Sequence, residues 1–200
     1  MFIMPTRGRP HNVLRLIDLC STGYSWWVGV DSDDPKLGEY ENLPFPDGWN
    51  LIVRDRRPVC EIFRDAFDAL PDEPFYGFIG DDVVPGSVGW EKKLVSAAGD
   101  DGVAYGDDLV HGEKLATHPV IGGDLVREQG WLVLPGLEML YADTVWTVLA
   151  RRRGVLRYLP DVIMEHRHPC VGKAPRKEYE PKTCHKNDRQ VYRGWKSDVL

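Results

Sequence analysis

Two hundred residues, 42% of them hydrophobic and 28% charged, suffice for one domain with a sizeable core and exclude wholesale disorder. No apolar run approaches the roughly 20 residues that span a bilayer, and Met1-Phe2-Ile3-Met4-Pro5 lacks the basic leader of a signal peptide, so a cytoplasmic protein without a membrane span is expected. The net charge of −6 is unevenly spread: nine Lys and Arg against three Asp and Glu make His166 to Lys196 about +6, leaving the remainder near −12. A basic tail on an acidic body suits an anionic partner, whether a diphosphate, a nucleic acid or an acidic lipid.

Phe2-Ile3-Met4 reads as a strand and Pro5 to Pro10 as the loop leaving it. Pro10 suits the first turn of a helix running to about Cys20, with Val13, Leu14, Leu16 and Ile17 as its apolar positions. Trp26 to Val30 is a second strand, ending in Asp31-Ser32-Asp33-Asp34-Pro35. Lys36 to Asn50, with Gly38, Pro44, Pro46 and Gly48, reads as loop, and Leu51-Ile52-Val53 as a third strand.

Pro58 to Leu70 carries a helical period through Val59, Ile62, Phe63, Ala66 and Phe67. A strand follows from Phe75 and ends in Gly80-Asp81-Asp82. Val88 to Ala98 is the next predicted helix, Val103 to Tyr105 a strand, Gly106 to Thr117 a polar loop, and Gly122-Gly123-Asp124 a turn. A helix over Glu138 to Arg153 and a strand over Val155 to Met164 come last, before the basic tail. The alternation through the first hundred residues predicts an α/β fold, a mostly parallel central sheet flanked by helices. The four cysteines, Cys20, Cys60, Cys170 and Cys184, form no CxxC pair and read as reduced thiols.

Three strand ends are polar: Thr6-Arg7-Gly8-Arg9, Asp31 to Asp34, and Asp81-Asp82. In a parallel sheet these meet at the carboxyl edge, where open α/β proteins bind ligands. Adjacent carboxylates repel unless a proton or cation lies between them, and a hard divalent ion completed by substrate phosphates satisfies that demand. The alternative is a pair of solvated turn residues. His166 and His168 alternate on an extended segment and so share a face, and imidazole suits Mn²⁺ or Zn²⁺. A zinc site drawn from His166, His168, Cys170, Cys184 and His185 is a second option, although its spacing fits no usual finger. Asp143 falls within a predicted helix, where propensity disfavours it; it is a surface residue, a cap for a helix starting at Thr144, or a general base aimed into a pocket.

In this order, Met4-Pro5-Thr6-Arg7-Gly8-Arg9, Val30-Asp31-Ser32-Asp33-Asp34, Phe78-Ile79-Gly80-Asp81-Asp82, Tyr141-Ala142-Asp143 and His166-Arg167-His168 resemble the GT-A class of nucleotide-sugar glycosyltransferases. The likeness is to the compact, family 2-like form common in phage and bacterial genomes, and covers roughly residues 2 to 168. It implies a Rossmann-like single domain over 1–168, with the basic tail 169–200 packed on or near the active site. It further implies a nucleoside diphosphate sugar, UDP-sugar favoured, bound by Pro5, Thr6, Arg7, Arg9, Asp31, Asp33 and Asp81. Mn²⁺ or Mg²⁺ would be held by Asp82 with His166 or His168. Asp143 would be the base of an inverting hexosyl transfer to a glycan or to a hydroxymethylated base in phage DNA. One departure is visible: Gly80 stands where the usual Asp-x-Asp motif has its first Asp. A metal-dependent phosphoesterase or nuclease and a non-catalytic nucleic-acid-binding protein are the rival expectations.

Overall fold

Strand β1 (Phe2–Pro5) lies inside the sheet because both of its faces are apolar. Phe2 and Met4 enter one core and Met1 and Ile3 the other, as the two-residue period of a strand demands. The computed structural model describes residues 1–20, 23–169, 172–175 and 185–199. Around β1 run helix α1 (Pro10–Leu19), β2 (Trp26–Asp31), α2 (Leu37–Glu41), β3 (Trp49–Arg54), α3 (Val59–Ala69) and β4 (Phe75–Phe78). They are followed by β5 (Val83–Pro85), α4 (Trp90–Ala98), β6 (Val103–Asp107), β7 (Val120–Gly122), α5 (Gly123–Gln129), α6 (Ala142–Arg153), β8 (Leu156–His166) and α7 (His185–Val199). The strand order is β3-β2-β1-β4-β7-β6-β8-β5.

The first four strands are mutually parallel, β7 runs antiparallel between β4 and β6, and β6 pairs parallel with β8. The expected α/β architecture, a mostly parallel sheet between helical layers, is thus the observed one. Helices α1 and α4 cover the face that carries Phe2, Met4, Val28 and Val30, and α3, α5 and α6 cover the opposite face. Pro10 opens α1, where its missing N–H costs nothing and its fixed φ suits the helix.

The long strand β8 does two jobs. Its register with β6 slips after Gly106, from Gly106 opposite Leu159 to Asp107 opposite Ile163, and a bulge of this kind bends a strand. Beyond the bend β8 pairs antiparallel with β5, with Val83 opposite His166. This pairing delivers His166 to the residues just after β4.

Four expectations are corrected, and the basic tail, left without an element in the sequence reading, gains one. The stretch Lys36 to Asn50 contains α2, a short helix built on the buried Tyr40. The strand before Asp81-Asp82 ends at Phe78 and is followed at once by β5, so the two acids occupy the turn between strands. Gly122-Gly123-Asp124 is the start of α5; a Cβ at Gly123 would lie 2.1 Å from the Glu73 carbonyl oxygen, so only glycine permits that approach. The helix predicted from Glu138 begins at Ala142. The basic tail contains α7, which lays Val191, Tyr192 and Trp195 against the core. Cys170 and Cys184 of the alternative zinc site, and Arg176, Lys177 and Lys182 of the tail, lie outside the described residues. No described helix is long and apolar enough to cross a membrane.

Candidate active site at the carboxyl edge of the sheet

Asp81 is 1% exposed, and a carboxylate so buried needs partners for both oxygens. Arg9 supplies them as a fork, Nε to Oδ2 at 2.8 Å and Nη2 to Oδ1 at 2.7 Å, and Thr6 Oγ1 donates to Oδ2 at 2.6 Å. Tyr40 locks the same loop from α2: its hydroxyl lies 2.9 Å from Thr6 Oγ1 and accepts the Arg9 N–H at 2.8 Å. Burial pushes the Asp81 carboxyl upward, and the charge and hydrogen bonds of Arg9 only partly offset it.

The second strand end is tied to the first. Arg7 Nη1 donates to Asp33 at 2.6 Å and to Asp31 at 3.3 Å, and the Gly8 N–H donates to Asp34 at 2.7 Å. Arg7 and Arg9, expected from the sequence among the residues binding the nucleoside diphosphate sugar, join β1 to the ends of β2 and β4 through carboxylates. Asp31 keeps one oxygen, Oδ1, buried without a hydrogen-bond partner, 4.0 Å from Arg54 Nε, which is itself unpartnered. Burial raises the Asp31 carboxyl, and Arg54 and Arg7 pull it back. Oδ1 thus faces the Arg54 guanidinium without closing a hydrogen bond to it, an unusual state for a buried acceptor.

Asp82, one residue on, faces the other way. Its Oδ2 stands 3.4 Å from His166 Nε2, and its carbonyl oxygen accepts the Arg167 N–H at 2.8 Å. Burial alone would raise Asp82; the hydrogen bond and charge of His166 outweigh it and hold the carboxyl well below its ordinary value. Two cis ligands of an octahedral ion, each about 2.1 Å from it, stand about 3 Å apart. The Asp82–His166 pair therefore fits two positions of a hard divalent cation. Among the described residues no three His, Cys, Asp or Glu side chains are gathered as a metal cluster. The His168 ring lies 5.5 Å from that of His166, with no described contact to Asp82.

Gly80 explains the departure from the familiar acidic motif. A Cβ there would lie 2.5 Å from Asp82 Oδ1 and 3.4 Å from His118 Cε1, so any side chain would push the Asp82 carboxylate aside. Were Asp82 to hold a divalent ion, Gly80→Ala would weaken Mn²⁺ binding by about tenfold, the scale on which supporting residues tune metal sites, with little change in the unfolding midpoint. Isothermal titration with Mn²⁺ checks this, and unchanged affinity would refute the packing argument.

Three residues of this site were missed from sequence. His118 is 8% exposed, packs edge-on to His166 at 4.9 Å and has a buried Nε2 without a hydrogen-bond partner; burial and the neighbouring His166 lower it to about 3, so it is neutral at pH 7. Asp108, 1% exposed, accepts the N–H groups of Val110, His111 and Gly112, the Thr117 hydroxyl and a bond to His111 Nδ1 at 2.8 Å. Its carbonyl oxygen receives the His166 N–H at 3.1 Å, which latches loop 108–117 to β8. Tyr40 is the third, hidden in a stretch that read as loop.

Asp143 lies in the first turn of α6, where the helix dipole favours a carboxylate. Its Oδ1 accepts the N–H of Thr144 at 2.6 Å and the Thr144 hydroxyl at 3.1 Å. One turn on, Thr147 Oγ1 accepts the Ala116 N–H at 3.1 Å, so α6 abuts the loop that Asp108 holds. Position in the first turn removes the propensity objection to an acidic residue here.

No protein-family model and no curated protein sequence matches the chain. Solved structures do. A mannosyltransferase, PcManGT from Pyrobaculum calidifontis, in complex with GDP-Man and Mn²⁺, superimposes with a TM-score of 0.65 at 12% identity over 86% of this chain and 57% of its own. TarS 1–349 from S. aureus gives 0.57 at 13% over 82% and 58%. A protein from Desulfovibrio desulfuricans G20, described as a nucleotide-diphospho-sugar transferase, gives 0.58 at 13% and covers 96% of both chains. The chain thus spans less than two thirds of the first two. At such identities the likeness is one of fold, the GT-A architecture expected from the sequence.

Proposed function

We propose that this protein is a metal-dependent glycosyltransferase that moves a hexose from a nucleoside diphosphate sugar to an acceptor hydroxyl. The observation that carries this reading is the contact of Asp82 with His166, 84 positions apart in sequence, at the sheet edge where β2 ends in Asp31. A bound Mn²⁺ or Mg²⁺ would neutralise charge developing on the departing diphosphate. Asp82 and His166 would hold it, with His168 alongside. Asp31 accepts a hydrogen bond from the base or ribose, and the Arg7–Asp33 pair forms the rim beside it. The Arg9–Asp81–Thr6 cluster keeps the β1 loop and the β4–β5 turn at a fixed spacing, which aligns nucleoside and diphosphate sites.

Asp143, oriented by Thr144, takes the proton of the acceptor hydroxyl as that oxygen attacks the anomeric carbon, with inversion. A UDP-sugar is the first donor to test, and GDP-mannose, the ligand of the Pyrobaculum enzyme, is the second. The acceptor is a glycan or a hydroxymethylated DNA base. A two-metal phosphoesterase would need additional gathered carboxylates, and no observation favours it.

The test is thermal unfolding of the full chain with UDP-glucose or GDP-mannose, with Mn²⁺ or with EDTA. A saturating donor should raise the midpoint by about 5–10 °C with Mn²⁺, as binding at about a hundred times Kd contributes roughly 2.7 kcal/mol. Much less should be seen in EDTA. No shift with any sugar nucleotide, or the same shift without metal, would remove the proposal.

A further inference from the structure

Asp188 of α7 is fully buried, although it belongs to a helix whose outer residues Lys186, Arg189, Arg193 and Lys196 are exposed or half-buried cations. Its carboxylate reaches across to the segment before α6 and accepts three consecutive backbone N–H groups. Oδ1 takes that of Glu138 at 2.8 Å; Oδ2 takes those of Met139 at 3.0 Å and Leu140 at 2.7 Å. Three successive amides turned toward one carboxylate form an anion-binding concavity. The shape of 138–140, which belongs to no helix or strand, therefore depends on a side chain about fifty positions away.

The grip extends to either side. Asn187 Nδ2 donates to the Gly136 carbonyl and to Glu138 Oε1, both at 3.3 Å. Tyr192 stacks on Tyr141 with centroids 4.9 Å apart and planes 11° off parallel. Tyr141 has φ +71°, a conformation that a non-glycine residue holds only under surrounding constraint, and its carbonyl receives the Val145 N–H at 2.8 Å to start α6. From the opposite side the Cys60 N–H donates to the Glu138 carbonyl at 2.9 Å, and Arg64 donates to the carbonyls of Leu134 and Leu137. Asp143 comes two residues after Tyr141.

We propose that Asp188 is a positioning residue: through the amides of 138–140 and the Tyr141–Tyr192 stack, α7 sets the direction in which Asp143 faces the acceptor. The proposal rests on the reading of Asp143 as base. A misplacement of about 1 Å in a catalytic group costs on the order of a hundredfold in rate, so a device that fixes the entry to α6 acts on turnover rather than on donor binding.

The experiment compares Asp188→Asn, Asp143→Asn and the double variant in the full chain. Asparagine keeps the shape but turns an N–H₂ toward amides that need an acceptor. Hydrogen exchange should quicken about 10- to 100-fold at the amides of 138–144 in Asp188→Asn and stay unchanged in β1 and β4. Turnover is read as nucleoside diphosphate released from UDP-glucose or GDP-mannose with Mn²⁺ and p-nitrophenyl glycosides as acceptors. Asp188→Asn should lower kcat about 10- to 100-fold with donor KM within about twofold. The double variant should be no slower than Asp143→Asn, because a positioning residue has nothing left to position.

Unchanged exchange at 138–144, multiplicative losses in the double variant, or a rise in donor KM in place of the fall in kcat would each overturn the proposal. A fall in kcat for Asp143→Asn with none for Asp188→Asn defeats the positioning role alone. Wild-type kcat in Asp143→Asn, or no turnover of either donor by the native protein, defeats the reading of the base and the proposal with it. If Asp188→Asn fails to fold, Tyr192→Leu keeps the carboxylate and loosens the stack. That variant must lower kcat alone, and a native kcat overturns the proposal.

Discussion

Asp82→Ala should lower sugar transfer by about a thousandfold and leave the sheet folded. The size of the loss reflects the cation the side chain would hold: charge neutralisation at a leaving diphosphate is worth several kcal/mol, and each 1.4 kcal/mol is tenfold. The fold survives because the backbone of the turn is pinned independently, by the Arg167 N–H on the Asp82 carbonyl and by the β5–β8 pairing beside it. Stability should nevertheless change with pH in a stated direction. The folded carboxyl sits below the ordinary 3.8, held there by His166 against the effect of burial. A depressed carboxyl contributes stability that is full above the unfolded value and is lost as pH falls through the folded one. The gap between native and variant proteins should therefore be present at pH 7 and close below about pH 4. Urea unfolding at both pH values, beside the transfer assay, checks the two halves separately. Native transfer rates in the variant would remove Asp82 from the reaction.

Much of this site was legible because it lies at strand ends. The apolar runs Phe2-Ile3-Met4, Trp26 to Val30 and Phe75 to Ile79 specify buried strands, and the polar residues after each run must emerge at an edge. The sheet places Thr6, Arg9 and Asp81 in mutual contact from that logic alone. What the sequence could not display is which groups satisfy one another. Arg7 and Arg9 were expected to bind the nucleoside diphosphate sugar; their partners within the fold are carboxylates at the ends of β2 and β4, which need such pairing. His118 and Asp108 were invisible because their roles arise from the bulge in β8, a long-range event with no local signature.

Helix boundaries failed for a different reason. Met139 and Leu140 extended the apolar period of α6 backward, although their amides are bound by Asp188. Helix α7 was obscured by its charge; Val191, Tyr192 and Trp195 at spacings of one to four residues, with Asp188 one turn earlier, were the signal that a basic run concealed a packing face. Tyr40 anchors a helix of only five residues, too short for any period to register.

Arg9→Met should be among the most destabilising substitutions in the chain, by about 3–5 kcal/mol at pH 7. The isosteric stem keeps much of the packing, so the loss isolates the guanidinium. Asp81, 1% exposed with Arg9 in place, would be left with Thr6 as its described side-chain donor, and ionised carboxylates do not tolerate such a setting. The group will instead take up a proton. Burial already raises its carboxyl above 3.8 with Arg9 in place, and removing the cation drives it further up. A carboxyl raised in the folded state weakens folding as pH climbs from the unfolded value through the folded one. The variant should therefore regain stability on acidification, opposite in sign to the effect at Asp82. Adding Asp81→Asn to Arg9→Met should restore most of the loss at pH 7, because no charge remains to be buried. Denaturant titrations of the three proteins at pH 7 and pH 5 measure this directly. A deficit that is the same at both pH values, or that persists in the double variant, would show that Arg9 acts by packing rather than by compensating the Asp81 charge.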